Sequence, residues 1–495
     1  MNQPQWVLLP VIIPLAGAAV GLLLRHQRRV QAYGSLGVIL TALAASLFLL
    51  GRVYTYGPQV AQLGGWAAPY GISLTADLTA ALFVVMAQAV LSTGFIYALG
   101  CNDRCSRFPT FYPLFLTLST GLTGVFLTGD LFNLFVFAEL LVISGAALTA
   151  ISDDPLGLEA AYKYFLISLL ASLFLLVAAG SLYVSYGTLN LADLSARIAA
   201  DPTRPLTGVA AACLVVFFLV KSAVAPFHFW QPDFHTVSPT AVSAMLSSVV
   251  VKVGVYGLLR MTTLWFVPFA AELRAFLIVA GLVGVIFGGL TAVGAQHAKR
   301  MLAYSTLGQI GFILVGIGWG TPLALTAALV YIINHSLIKS ALLMIAGATA
   351  SRAPVKSAAF SALRGVGKFT PLGGALFLLG GLALAGIPPT NGFISKLTLL
   401  RSGLALGDGW TLAGLAAGSL FSLVYVGRAY RNIWWLPAQG EIKPKAGGDR
   451  LLAPAVLVTL SLVLGIWAEP FVNLCLQAVA WMLNPAAYIA LVLGG

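Results

Sequence analysis

Five ionisable side chains stand inside stretches that are otherwise apolar: Glu139 in 131–151, and Lys221, Lys252, Lys339 and Lys396. A charge at the centre of a helix in lipid costs at least about 2.5–3.5 kcal/mol, so such groups turn inward, find partners or water, and usually mark an ion path. One acid cannot neutralise four lysines, so static pairing explains the set poorly. Some of the lysines must be neutral part of the time and able to exchange protons. A row of such groups is what a proton relay requires. Histidines extend it. His335 and Lys339 are four apart and share one helix face. His228 and His235 flank Gln231, Pro232 and Asp233 at the inner end of the stretch that carries Lys221, where a relay would meet the cytoplasm. His26 and His297 lie among loop basics and are expected to have no special part.

Residues of this kind need a membrane bundle to hold them, and the composition calls for one. Of 495 residues, 59% are hydrophobic and 8% charged, against about 25% charged in a soluble domain. This excludes a soluble enzyme, a nucleic-acid-binding domain and a disordered chain. With about 20 apolar residues per span, division at charge clusters and Pro/Gly turns predicts fourteen transmembrane helices. They run over 6–24, 32–50, 77–99, 111–128, 131–151, 159–183, 206–229, 241–264, 270–293, 301–318, 323–350, 371–401, 412–435 and 452–468. Residues 52–77 suit a small extramembrane hairpin, and 470–495 lie on the surface or add a partial span. The first stretch has no basic run ahead of it and reads as a span, not a cleaved signal. Cys101 and Cys105 have no second pair or histidine nearby to complete a metal site. No phosphate-binding glycine loop or iron–sulfur cysteine cluster is present, so no metal or cofactor is expected.

Two of the stretches are interrupted by proline, at Pro226 after Lys221 and at Pro388-Pro389 before Lys396. Proline frees a carbonyl and kinks a helix, and in a membrane such breaks survive only within protein or beside water. Paired breaks point to inverted repeats with a transport path at mid-membrane depth. Pro226 and Pro388 are 162 residues apart, and the fourth and ninth spans begin 159 apart, which fits five spans per repeat. The expected organisation is therefore an all-α polytopic membrane protein with two inverted five-helix repeats, each with a broken helix. Helices 1–3 and the hairpin occupy 1–110, the repeats 111–264 and 270–435, and a cytoplasmic loop, helix 14 and a tail 436–495. With the N-terminus outside, seventeen of the 27 basic residues, Lys299 among them, fall in inside loops and six, Arg260 among them, outside, a strong positive-inside bias.

The motifs around these residues resemble a known family. The run from Gly129-Asp130 to Glu139 is similar to the fifth helix of the antiporter-like membrane subunits shared by respiratory complex I, membrane-bound hydrogenases and Mrp-type cation/proton antiporters. Residues 221–233, 251–256 and 386–396 are similar to its seventh, eighth and twelfth helices. The start of the fifth span and the tail 483–493 look most like the D-type subunits of Mrp Na+/H+ antiporters. The resemblance implies that Glu139 pairs with Lys221 as a switch. It implies that Lys252, His335 and Lys339 continue a central row, and that Lys396 reaches one exit. It also implies a bacterial or archaeal cell membrane, other membrane subunits as partners, and H+ and Na+ as transported ions, with no nucleic acid. Ala138 stands where a bulkier aromatic is expected. The alternative is the same channel in a proton- or sodium-pumping complex I or hydrogenase assembly. A purely structural subunit with static lysines is the rival from another class.

Overall fold

The computed structural model describes residues 5–151, 154–437, 445 and 447–494. It is a helical bundle with one small hairpin. The helices are α1 (Leu9–Leu23), α2 (Arg28–Tyr56), α3 (Leu78–Leu99), α4 (Phe111–Leu127), α5 (Leu131–Ala150), α6 (Pro155–Tyr186) and α7 (Leu191–Ala200). They continue as α8 (Thr207–Lys221), α9 (Trp230–Val237), α10 (Thr240–Met245), α11 (Lys252–Arg260), α12 (Ala270–Gly294), α13 (Ala298–Trp319) and α14 (Pro322–Arg352). The remainder are α15 (Phe360–Leu363), α16 (Pro371–Ala385), α17 (Asn391–Leu406), α18 (Gly409–Tyr430), α19 (Leu452–Ile466), α20 (Ala468–Met482) and α21 (Pro485–Leu493). Among the described residues ten helices are long and apolar enough to cross a membrane, or eleven if the α19–α20 pair, bent by 85°, is one span. Three more, α4, α8 and α16, are apolar but shorter. The chain is thus a multi-pass membrane protein, though the expected fourteen full spans are not all of spanning length.

Capping takes up four of the 15 acidic residues. Asp77, Asp130, Asp154 and Asp408 each accept a backbone N–H in the first turn of α3, α5, α6 and α18. Each cap satisfies one of the donors that a helix start leaves open. Strands β1 (Gln59–Gln62) and β2 (Ser73–Ala76) pair antiparallel, Gln59 opposite Ala76. The hairpin is therefore shorter than expected, because α2 runs on through Tyr54 to Tyr56. There Arg52 lies over the Trp6 and Tyr56 rings at 4.9 and 4.1 Å, and these cation–π contacts favour one more helical turn.

The two proline breaks fall where the ring chemistry requires. Proline removes the hydrogen bond to the carbonyl four residues back and clashes with it. The helix carrying Lys221 accordingly stops at Lys221, with Ala223 in a left-handed conformation (φ 51°), and resumes as α9. Helix α16 stops at Ala385, Gly386 takes φ 85°, and the chain resumes as α17. The expected span over 241–264 is α10 and α11 joined by a π turn at Leu246–Val250, immediately before Lys252. This segment and α14 are buried over their full apolar windows, whereas α2, α6, α12 and α18 turn most of theirs outward. The row residues therefore sit at the centre, with a lipid-facing rim around them.

Helices α12 and α13 approach closely at several glycines. A Cβ on Gly281 would lie 2.7 Å from the Gly311 carbonyl oxygen, and one on Gly288 2.5 Å from the Gly308 nitrogen. Small residues allow this backbone contact, the usual device of membrane helix pairs.

The loops after α3, before α6, between α12 and α13 and after α14 meet at one face. There they enclose a cavity of about 710 Å³ lined by residues that include Asp103, Asp154, Ser238, His297, Lys299 and Lys356. The β hairpin covers the opposite face, with the Gly129 N–H donating to the Ser73 carbonyl at 2.8 Å. The loops of the first face are those that the basic-residue tally puts together on one side. In a cysteine-free background, cysteines at Lys356 and Lys445 should react with a membrane-impermeant maleimide from one side only, and a cysteine at Tyr70 in the hairpin loop only from the other. Labelling of both sites from the same side would show a misplaced span. Lys443, an equivalent loop position by sequence, lies outside the described residues.

Candidate functional site

The four lysines all lie inside the bundle, Lys252 and Lys339 fully and Lys221 and Lys396 with 4% and 5% exposure. Among the described residues none of them has a carboxylate within 4 Å. Each is accommodated differently. Lys221 ends α8, where the negative pole of the helix favours a cation. Its Nζ has no hydrogen-bond partner and lies 5.5 Å from the Phe217 ring centre. Glu139 is half-buried on α5 with Oε1 unpartnered. Its charge reaches Lys221, yet the two are not in contact. The expected Glu139–Lys221 ion pair is therefore open.

Lys252 begins α11, and its Nζ meets His335 Nδ1 on α14 at 2.6 Å. Glycine makes room for α11 here: a Cβ on Gly254 would lie 2.1 Å from the Phe218 carbonyl oxygen. The α8 end that bears Lys221 and the α11 start that bears Lys252 are thus pressed together. His335 Nε2 is buried and unpartnered. Lys339, one turn on, donates to the Leu302 carbonyl at 2.9 Å and to Ser305 Oγ. Lys396 donates to the Ala385 carbonyl at 3.1 Å and sits 4.5 Å over the Phe312 ring. The Pro388-Pro389 break frees that carbonyl, so the broken helix supplies the lysine with its acceptor.

A polar thread that the sequence reading missed joins Lys339 toward Lys396. Ser305 lies within electrostatic reach of Tyr425, and Gln309 Nε2 donates to Tyr425 and Ser422, both at 3.2 Å. Tyr331 donates to Gln309 Oε1 at 2.5 Å, and its ring stacks on Phe312 at 5.6 Å, the ring beneath Lys396. The signal lay in the four-residue spacing of Ser305 and Gln309 on α13, which puts both on one helix face.

The histidines divide. His235 is fully buried on α9, with Nδ1 3.2 Å from Ser243 Oγ, and it feels the charges of Lys299 and Lys339. It therefore lies between the cavity face and the row. His228 is half-buried, edge-on to Phe287 at 4.9 Å. His297, expected to be incidental, lines the cavity; burial, then Lys299 and Arg300, lower it to about 4, so it stays neutral near pH 7.

Arg260, assigned by sequence to an outside loop, is a correction. It is 4% exposed and bonds Asp77 at 2.7 Å, itself 2% exposed, under the Tyr256 ring. Glu139 is therefore not the only acid inside the bundle. Asp77 was hidden at a span boundary, where an N-cap and an intramembrane charge look alike in sequence. Lys299, also placed in a loop, is 8% exposed and donates to the Ser238 carbonyl at 3.1 Å.

Residues 128–422 match the family model described as NADH:quinone oxidoreductase/Mrp antiporter, TM. The chain is 32% identical to the D-type Na(+)/H(+) antiporter subunit of Alkalihalophilus pseudofirmus, over 98% of this chain and 99% of that protein. It is 34% identical to the N-type NADH-quinone oxidoreductase subunit of Desulforudis audaxviator, over 93% of this chain and 94% of that one. It superposes on a chain of the Mrp complex from Dietzia sp. DQ12-45-1b with a TM-score of 0.91 and 27% identity, covering 100% of both.

The Asp77–Arg260 pair generates a test of its own. Removing one partner of a buried pair strands the other charge, at a cost of about 3–5 kcal/mol. Asp77→Asn should lower the melting temperature of the purified protein markedly, and Asp77→Leu combined with Arg260→Met should recover most of the loss. An unchanged melting temperature in Asp77→Asn would show that Arg260 is already hydrated.

Proposed function

The chain belongs to the NADH:quinone oxidoreductase/Mrp antiporter membrane family, and on that premise we propose that it is the proton-carrying subunit of a multi-subunit Na+/H+ antiporter. It works beside other membrane subunits and moves protons along Glu139, Lys221, Lys252, His335, Lys339 and Lys396. We further assign the cavity face to the cytoplasm and the N-terminus to the outside, in a bacterial or archaeal cell membrane, on the basic-residue bias.

The observation that carries this reading is the 2.6 Å contact of Lys252 Nζ with His335 Nδ1. Two buried bases joined nitrogen to nitrogen hold one proton between them readily and two only against unscreened repulsion. A proton reaching Lys252 is donated to His335 Nδ1. His335 releases one from Nε2, on the far side of its ring, toward Lys339 four residues along α14. From Lys339 the proton moves toward Lys396 through water ordered beside Ser305, Tyr425, Gln309 and Tyr331, whose side chains shape the path without taking up the proton. Glu139 supplies the counter-charge: it draws a proton onto Lys221 when the central bases are empty and loses that hold when they fill.

A second reading places the same row in a redox-driven pump, and the 34% identity to a quinone oxidoreductase subunit supports it. The chains that co-purify with the native assembly discriminate the two.

Antiport in everted vesicles carrying the whole complex tests the row. Glu139→Ala should assemble and lose antiport by about two orders of magnitude. Lys396→Ala should slow it, and Lys396→Arg should fail too, because arginine does not release its proton. Lys445→Ala should change little. Full activity of Lys396→Arg would count decisively against proton transfer at that position.

A further inference from the structure

The two helix breaks share a feature that the row does not use. Gln231, on α9 just past the first break, is fully buried, and neither its Oε1 nor its Nε2 has a partner. Asn391, the first residue of α17 past the second break, is also fully buried with both heteroatoms unpartnered. Among the described residues these are the two buried carboxamides with neither atom bonded. A carboxamide offers two donors and an acceptor with two lone pairs, and buried groups of this kind are almost always satisfied, by protein or by ordered water.

Their surroundings say what the missing partners serve. Gln231 stands one turn before His235 on the same face of α9, and His235 Nε2 is likewise buried and unpartnered. Around α9, Lys299 of α13 and Lys339 of α14 bring their charges to His235, and Tyr164 of α6 packs on Trp230 and Phe234. Thr236 and Ser238, directly after His235, line the cavity. Asn391 lies five residues before Lys396. Gly392 beside it is so confined that a Cβ would lie 1.7 Å from the Ala383 carbonyl oxygen and 3.1 Å from Asn334 Nδ2. Asn334 in turn accepts from Ser461 Oγ at 2.9 Å. At the first break the unmatched atoms stand one turn from His235; at the second they adjoin the opened end of α16, whose Ala385 carbonyl Lys396 bonds, and the Asn334–Ser461 pair, and unmatched buried polar atoms of this kind are served by ordered water.

We propose that Gln231 and Asn391 are water-positioning residues, each holding ordered water at its helix break. The water on Gln231 joins His235 to the cavity face, and the water on Asn391 joins the opened end of α16, to which Lys396 is bonded, to the polar group at Asn334 and Ser461. Neither amide takes up a proton. Each orients water whose oxygen accepts from one neighbour and whose hydrogen is donated to the next. The inference rests on the proton path proposed above.

The test compares apolar with polar replacements in the assembled complex. Gln231→Met and Asn391→Leu keep bulk but cannot bind water; they should assemble, melt at or above the parent temperature, and slow antiport at least about tenfold. Gln231→Glu and Asn391→Asp keep an oxygen acceptor and should retain most of the rate. For either residue, parent-level antiport in the apolar variant overturns its role. Loss of assembly in the apolar variant overturns it too, by making the amide structural, as does equal slowing in the polar variant. Lys252→Ala is measured in parallel. If it antiports normally, the proton path fails; if it is inactive while Gln231→Met is normal, the path stands and the water role of Gln231 does not.

Discussion

A hydrogen bond between two bases requires that one of them be neutral. Lys252 and His335, both fully buried and 2.6 Å apart, impose that condition at the centre of the bundle, and much of the fold serves to keep them there. The π turn before Lys252 re-aims the start of α11, and Gly254 lets that helix press onto the end of α8. Helix α14, which carries both His335 and Lys339, is enclosed along its full apolar window. Among the described residues no carboxylate intervenes to hold a second proton in place. The charge that the centre can hold is thereby limited by geometry, and it is on this limit that the proposed relay depends.

The outer ion pair obeys the opposite logic. Asp77 and Arg260 are as buried as the row, but they are matched in charge and bonded at 2.7 Å, with Tyr256 alongside. A matched pair of this kind, once formed, has little reason to exchange protons, since breaking it leaves a bare charge in a dry place. The protein thus contains two classes of buried charge, one closed and one left open. Glu139, with Oε1 unpartnered while Lys221 is also unpartnered, belongs with the open class.

Much of this was legible in the chain before folding was considered. Hydropathy marks the spans because lipid tolerates little else, and the lysines stand out because their cost in lipid is high. The prolines at 226 and 388 mark the breaks for steric reasons that act locally. What the chain did not disclose is which groups meet. The Lys252–His335 contact spans 83 positions, Arg260–Asp77 spans 183, and Gln309–Tyr425 spans 116. Each is set by how helices cross, a property of packing that no local pattern carries. Arg260 and Lys299 were misplaced because a charged residue near a span end looks the same whether it faces water or a partner within the protein. The short amphipathic α7, between α6 and α8, was hidden for a similar reason: with hydropathy windows sized to a membrane, ten residues pass unnoticed.

The glycine contacts between α12 and α13 bear on how such a protein can change over generations. Where a Cβ on Gly281 or Gly311 would meet the other helix's backbone at 2.7 or 2.4 Å, no single substitution to a larger side chain can be absorbed by rotamer adjustment, because the obstacle is main chain. A drift in helix spacing would need coordinated replacements on both helices. Helix α13 also carries Ser305 and Gln309, so this seam ties the polar thread to a surface with almost no mutational freedom. Change is then directed elsewhere, to the lipid-facing rim, where side chains turn outward and no facing main chain blocks them.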